Sequence, residues 1–277
     1  MRKLGFSYEC SLRFSVPVRE HSYALRILPA TDREQGIYGP EYEVCGESRK
    51  SFWTDGFGNQ VISGCVWEPH DEFSFRVNGI AFVDRRPENR ARAGAERIYL
   101  APTPLTRRGK RLREFYEDCR PGADVTGEER VCKWMDALSE AFTYEPGVTG
   151  IQTTAEEALE GGRGVCQDYA HILLSLLRMD RIPARYVAGL LYGEGATHAW
   201  CEAVCDGRWV GVDPTHDRIL NDEYIKLAHG RDYGDCILDR GRFLGMASQT
   251  QEVYAKVTEL TPPRENQAEW RGWVVRP

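Results

Sequence analysis

Residues 162–213 read GRGVCQDYAHILLSLLRMDRIPARYVAGLLYGEGATHAWCEAVCDGRWVGVD. Val165, Tyr169, Ile172, Leu173 and Leu176 recur at helical spacing, so a helix is expected over 165–179, closed by Pro183. Strands are expected over 184–192, 198–205 and 208–213. Asp206-Gly207 joins the last two, and Asp-Gly is a strong signal for a two-residue type I′ turn. With that turn Cys205 pairs with Arg208, and facing residue numbers keep a constant sum along the hairpin. Side chains alternate across a strand, so His198, Trp200, Glu202 and Val204 share a face with Trp209, Gly211 and Asp213. His198 and Asp213 become diagonal neighbours within side-chain reach. A loop of odd length would put them on opposite faces.

The same stretch supplies a nucleophile. Gly162-Arg163-Gly164 allows a tight entry into a helix opening near Cys166. A helix N-terminus carries about half a positive charge and free N–H groups, which favour a thiolate. The chemistry follows: Cys166 attacks a carbonyl carbon, His198 carries the proton to the leaving amine, and Asp213 fixes the imidazole. The N–H of Cys166 is one oxyanion donor, and Gln152, Gln167 and Trp200 are candidates for the second. His216 is a candidate peripheral substrate contact. Trp200, Trp209 and Tyr192 are candidate aromatic walls of a cleft. His171, five residues after Cys166 and off its face, reads as structural. A zinc site from Cys201, Cys205 and a histidine is disfavoured, because those cysteines face away from His198.

Elsewhere the chain is β-rich, then helical. Over 4–18, Phe6, Tyr8, Cys10, Leu12, Phe14, Val16 and Val18 alternate with polar residues, the period of a half-buried strand. Further strands are expected over 23–28, 42–46, 51–54, 60–67, 73–77 and 79–83, with turns at 55–59, at His70 and at Asn78-Gly79. Arginines mixed with Pro and Gly over 85–104 read as a solvated linker. Helices are expected over 105–119 and 128–142, and a short one begins at Thr154, where Glu157 completes a capping box. Residues 221–228 read as a helical turn, and 252–260 and 270–275 as strands.

Composition narrows the function. The chain has 277 residues and a net charge of −6. Basic and acidic residues balance at 14 each over 1–104, so the excess acid falls in 105–277. That argues against a nucleic-acid or membrane-surface partner, both of which call for clustered Lys and Arg. The N-terminus lacks a continuous apolar run, and the nine cysteines are odd in number, so a cytoplasmic protein without structural disulfides is expected.

The chain resembles the transglutaminase-like superfamily of papain-related thiol enzymes. The resemblance is carried by Gly164-Val-Cys-Gln-Asp-Tyr-Ala170, Thr197-His-Ala-Trp200 and Val212-Asp-Pro-Thr215. Phe14-Ser-Val-Pro-Val-Arg-Glu20, Leu25-Arg-Ile-Leu-Pro29 and Thr54-Asp-Gly-Phe-Gly-Asn59 resemble the β-rich N-terminal domain of its bacterial members. The resemblance implies a Cys166-His198-Asp213 triad on an α+β core. The expected architecture is an N-terminal antiparallel β-sandwich over 1–84, a linker over 85–104, and over 105–277 a catalytic domain of helices followed by an antiparallel sheet. The superfamily includes amide cross-linkers, amidases and cysteine proteases. The absence of a dense acidic cluster disfavours calcium activation. The expected activity is thiol-dependent cleavage of an amide or isopeptide bond in a peptide or protein, without cofactor or metal. The alternatives are acyl transfer to an amine, or a non-enzymatic interaction module.

Overall fold

The computed structural model describes residues 1–46, 49–94 and 96–260. The first strand, β1 (Arg2–Leu25), buries Leu4, Phe6, Tyr8, Cys10, Leu12 and Phe14 on one face. Its register against the strand beside it shifts between Arg13 and Val18, so the chain bends, Val16 faces solvent and Val18 returns to the core. Residues 23–25 of the strand expected over 23–28 continue β1, and 26–28 lie beyond its end. Next come β2 (Gln35–Val44), β3 (Ser51–Thr54), β4 (Gln60–Val66) and β5 (His70–Val83). Asn78-Gly79, expected as a turn, lies within β5. A side chain at Gly79 would press on the Phe6 ring and the Pro40 backbone, so this glycine provides room in a continuous strand. His70, also expected in a turn, opens β5, and its ring meets the buried His21 at 3.2 Å.

Four helices follow. They are α1 (Lys110–Cys119), α2 (Gly127–Ala141), α3 (Ala155–Gly161) and α4 (Cys166–Met179). The short parallel pair β6 (Thr143–Tyr144) and β7 (Arg163–Gly164) braces the entry to α4. The expected capping box of α3 is present: Glu157 N–H donates to Thr154 Oγ1, and Thr154 N–H to Glu157 Oε2 at 2.9 Å. The segment 85–104 is not a solvated connector. Arg85 is buried and pairs with Glu34 at 3.0 Å, and Trp209 N–H donates to Ala91 O. Buried Arg178 of α4 ties the segment down through Tyr99 O and Thr106 Oγ1. Its cation outweighs the cost of burial because it satisfies several backbone carbonyls at once.

The second sheet comprises β8 (Ala184–Leu191), β10 (His198–Cys205), β11 (Arg208–Asp213), β12 (Arg218–Ile219) and β13 (Tyr224–Gly230), in the order β12-β11-β10-β8-β13. Between β8 and β10, the chain makes β9 (Gly193–Gly195). Ala203, Val210 and Val212 share one buried core with residues of α4, and Cys201 donates to Ala170 O at the boundary of the helix and the sheet. Residues 221–228, expected as a helical turn, belong mostly to β13. Antiparallel pairing with β8 overrides the local pattern.

The chain then returns to its first sheet. β14 (Asp239–Leu244) and β15 (Gln249–Glu259) both pair with β1, although the sequence reading grouped them with the second domain. β15 also pairs with β9, so the first sheet reaches the loop before His198. The whole is an α+β fold of antiparallel sheets with a helical layer against the second. The strand expected over 270–275 lies outside the described residues. Among the described residues no helix is long and apolar enough to cross a membrane.

Candidate active site

Cys166 is the first residue of α4. The backbone before it turns through Gly164, where any side chain would collide with the Asp168 carboxylate. Asp168 reaches back to accept from Val165 N–H at 2.8 Å and from Thr149 at 2.6 Å, which fixes the first turn. Burial drives the Asp168 carboxyl upward, and these hydrogen bonds only partly oppose it. The thiol is part-buried and packs at the edge of the core.

His198 arrives from the hairpin. The turn is type I′ as expected, with φ of 48° at Asp206 and 73° at Gly207, and Cys205 pairs with Arg208. The expected register therefore holds from Cys201 opposite Val212 onward. It brings His198 Nε2 to 2.8 Å from Asp213 Oδ2. Nδ1 is left as the ring nitrogen available to the thiol. Burial works to lower the His198 pKa, but hydrogen bonds to Asp213 and Cys166 prevail and raise it to about 9. The ring thus lies between two groups that favour its charged form.

Asp213 is fully buried and is more than a partner for one histidine. Oδ2 also accepts from His216 Nδ1 at 2.7 Å and from Tyr224 Oη at 2.8 Å, while Oδ1 accepts from Thr215 N–H. Burial alone would raise the carboxyl. The bonds from His198, His216 and Tyr224 more than reverse that and hold it below its usual range. Tyr224 in turn accepts from Arg218 Nε at 2.8 Å. Neither Tyr224 nor Arg218 stands out in the sequence, and the spacing Asp213 to Tyr224 gains meaning only once β13 is known to pair with β8.

The remaining expected residues separate. Trp200 is buried under Tyr224 and Leu220, away from solvent, and its Nε1 has no hydrogen-bond partner among the described residues. Trp209 is also buried, beneath the Arg185 guanidinium, and Tyr192 lies under Arg2 at the surface. Gln152 is exposed in a groove lined by Val148, Thr149, Thr153 and Arg163. Gln167 is half-buried and donates to Ile151 O at 3.4 Å. His171 is buried on α4, where its Nε2 accepts from Tyr233 N–H, a structural position. Tyr144, half-exposed, is a neighbour that the sequence reading did not single out. Burial and the charge of Cys166 raise its hydroxyl.

A cysteine at a helix start beside an imidazole held by a buried aspartate is the arrangement of a thiol enzyme. Residues 114–214 match the family model described as the transglutaminase-like superfamily, and residues 5–81 match that of the bacterial transglutaminase-like N-terminal region. The chain belongs to the transglutaminase-like superfamily. An uncharacterized protein of Mycobacterium tuberculosis is 32% identical over 213 residues, covering 65% of this chain and 68% of that protein. One from Mycobacterium leprae is 29% identical over 263 residues, covering 85% and 91%. The crystal structure named "Putative Cysteine Protease from Cytophaga hutchinsonii" superposes with a TM-score of 0.78 at 21% identity, covering 95% of this chain and 92% of that one. At that identity the likeness speaks for the transglutaminase-like fold alone, and it extends over the N-terminal sheet as well as the core.

Proposed function

We propose that this protein is a thiol-dependent hydrolase that cleaves an amide, peptide or isopeptide bond through a thioester on Cys166. One observation carries the reading: the hydrogen bond from His198 Nε2 to buried Asp213, which leaves the other face of the imidazole to the thiol. The His198 imidazole takes the proton of the Cys166 thiol. The thiolate attacks the carbonyl carbon, and the tetrahedral oxyanion forms beside the N–H of Cys166, which helix geometry leaves without an intrahelical partner. His198 gives its proton to the leaving amine as the C–N bond breaks, and a thioester remains. The now neutral imidazole takes a proton from water, hydroxide adds to the thioester, and the acid leaves as the thiol is restored. Asp213 keeps the imidazole oriented throughout. Gln152 and Gln167 are the candidates for a second oxyanion donor.

The substrate is then a peptide or protein bearing an amide. We place the reaction in the cytoplasm, since nine unpaired cysteines suit a reducing compartment.

Acyl trapping tests the reading. Intact protein mixed with lysate peptides and quenched in acid should carry an acyl mass on Cys166. Iodoacetamide should alkylate Cys166 ahead of the other eight cysteines, and equal rates would reject an activated thiol. Adding a primary amine separates the acyl-transfer alternative: amide products with that amine would replace hydrolysis as the reaction. Intact cellular function in Cys166→Ala would instead favour an interaction module.

A further inference from the structure

The aspartate at the centre of the site holds two histidines on one oxygen atom. His198 Nε2 and His216 Nδ1 stand 2.8 and 2.7 Å from Asp213 Oδ2, and all three atoms lie within 4.8 Å of one another. We propose that this cluster is also a zinc site, and that zinc bound there switches the thiol off, an inference that rests on the reading of Cys166 and His198 as nucleophile and base.

The donor set is what zinc takes at a site with an open position: two imidazoles and one carboxylate, borderline and hard ligands together. Tetrahedral zinc with ligands at about 2.0–2.2 Å needs donor atoms roughly 3.3 Å apart. The nitrogens must therefore draw back from Oδ2 by about half an ångström. His216 has the freedom to do so, because its side chain is 44% exposed, and that exposure is also the route of entry. His198 at 10% and Asp213 at 0% form the closed side. The carboxylate already has the outer support that metal-binding carboxylates need: Tyr224 Oη and Thr215 N–H hold it, and Arg218 holds Tyr224.

The protons balance. Zinc takes the lone pairs of His198 Nε2 and His216 Nδ1, each ring keeps one proton on its other nitrogen, any further proton goes to water, and no redox step is involved. The consequence for the thiol is direct. A histidine ligated through Nε2 cannot be an imidazolium, so it neither stabilises the Cys166 thiolate nor delivers a proton to a leaving amine.

The competing site for zinc is the thiol itself, with His198 as a second ligand. Full-length Cys166→Ala separates the two. Isothermal titration with Zn2+, and with Co2+ read by its visible d–d absorption, should give one metal per chain in C166A. The double variant C166A/H216Q should bind at least about tenfold more weakly. Glutamine keeps a donor near Asp213 and is a poor zinc ligand, and circular dichroism checks that both variants are folded. The proposal is overturned if C166A binds no metal, because zinc then belongs to the thiol. It is equally overturned if C166A and C166A/H216Q bind alike. Every protein compared lacks the nucleophile, so acyl trapping can fail while the zinc site stands, and the reverse.

Discussion

Gly189 of β8 pairs directly with His198 of β10, and the indole of Trp200 fills the space that a side chain at Gly189 would need. A Cβ there would stand 2.2 Å from Ile225 O and 2.3 Å from the Trp200 ring. The backbone oxygen cannot yield without opening the β8–β13 pairing, and the ring cannot yield without moving Tyr224, which holds Asp213. Gly189→Ala should therefore cost about 1–3 kcal/mol of stability, as overpacking does. It should also slow Cys166 alkylation. Urea unfolding and the iodoacetamide rate check the two effects, and an unchanged midpoint would contradict the packing argument.

Tyr224→Phe removes a hydroxyl that donates to Asp213 and accepts from Arg218. A hydrogen bond to a charged group contributes about 1.5–3 kcal/mol. If the aspartate loses its orientation, that loss falls on the reaction. We expect kcat/KM to drop roughly tenfold or more while the protein stays folded. A variant with unchanged kcat/KM would show that the hydroxyl does not position Asp213 for the reaction.

Two buried histidines and one part-buried histidine make the fold sensitive to acid. Burial, with His70 adjacent, pushes His21 down to about 4. Burial and Arg178 push His171 to about 3, and burial and Arg185 push His229 to about 3. Unfolded, each titrates near 6.5. Below that pH the unfolded chain binds protons that the folded one refuses, so stability is full above about pH 6.5 and falls as pH drops toward 3–4. His21 alone is worth about 3 kcal/mol over that window. Urea midpoints measured from pH 7 to pH 4 should decline steadily, and His21→Phe should flatten the curve. A level profile in the unaltered protein would refute this.

The Asp206-Gly207 turn can be tested by length. One inserted glycine shifts alternation along β11 and takes Asp213 off the His198 face; two inserted glycines restore it. The single insertion should abolish turnover, and the double insertion should recover a measurable part. Equal activity in the two would mean that the register of the hairpin does not set the site.

The hairpin was legible because its information is local. A two-residue turn at Asp206-Gly207 and strict alternation determine which side chains meet across it, and the contact of His198 with Asp213 follows. The β1 face and the α3 capping box were legible for the same reason. Tyr224 was not, because Asp222-Glu-Tyr-Ile-Lys-Leu-Ala-His229 shows no period of two. Both faces of β13 are covered, and the charge of Lys226 is neutralised by Asp32 and Glu202 from distant parts of the chain. Nor does any local pattern announce that β15 travels back to β1, or that arginines expected in solvent, such as Arg85, have partners such as Glu34. Trp200 was misplaced because strand parity sets its face but not its depth, and depth comes from β13 and Leu220 lying over it.

β9, immediately before His198, is stitched to Ala255–Val257 of β15, and Lys256 clasps Glu194 at 2.6 Å. During synthesis, the segment that steadies the histidine therefore waits for a strand made some sixty residues later. A partly made chain has its cysteine and its aspartate long before that support exists.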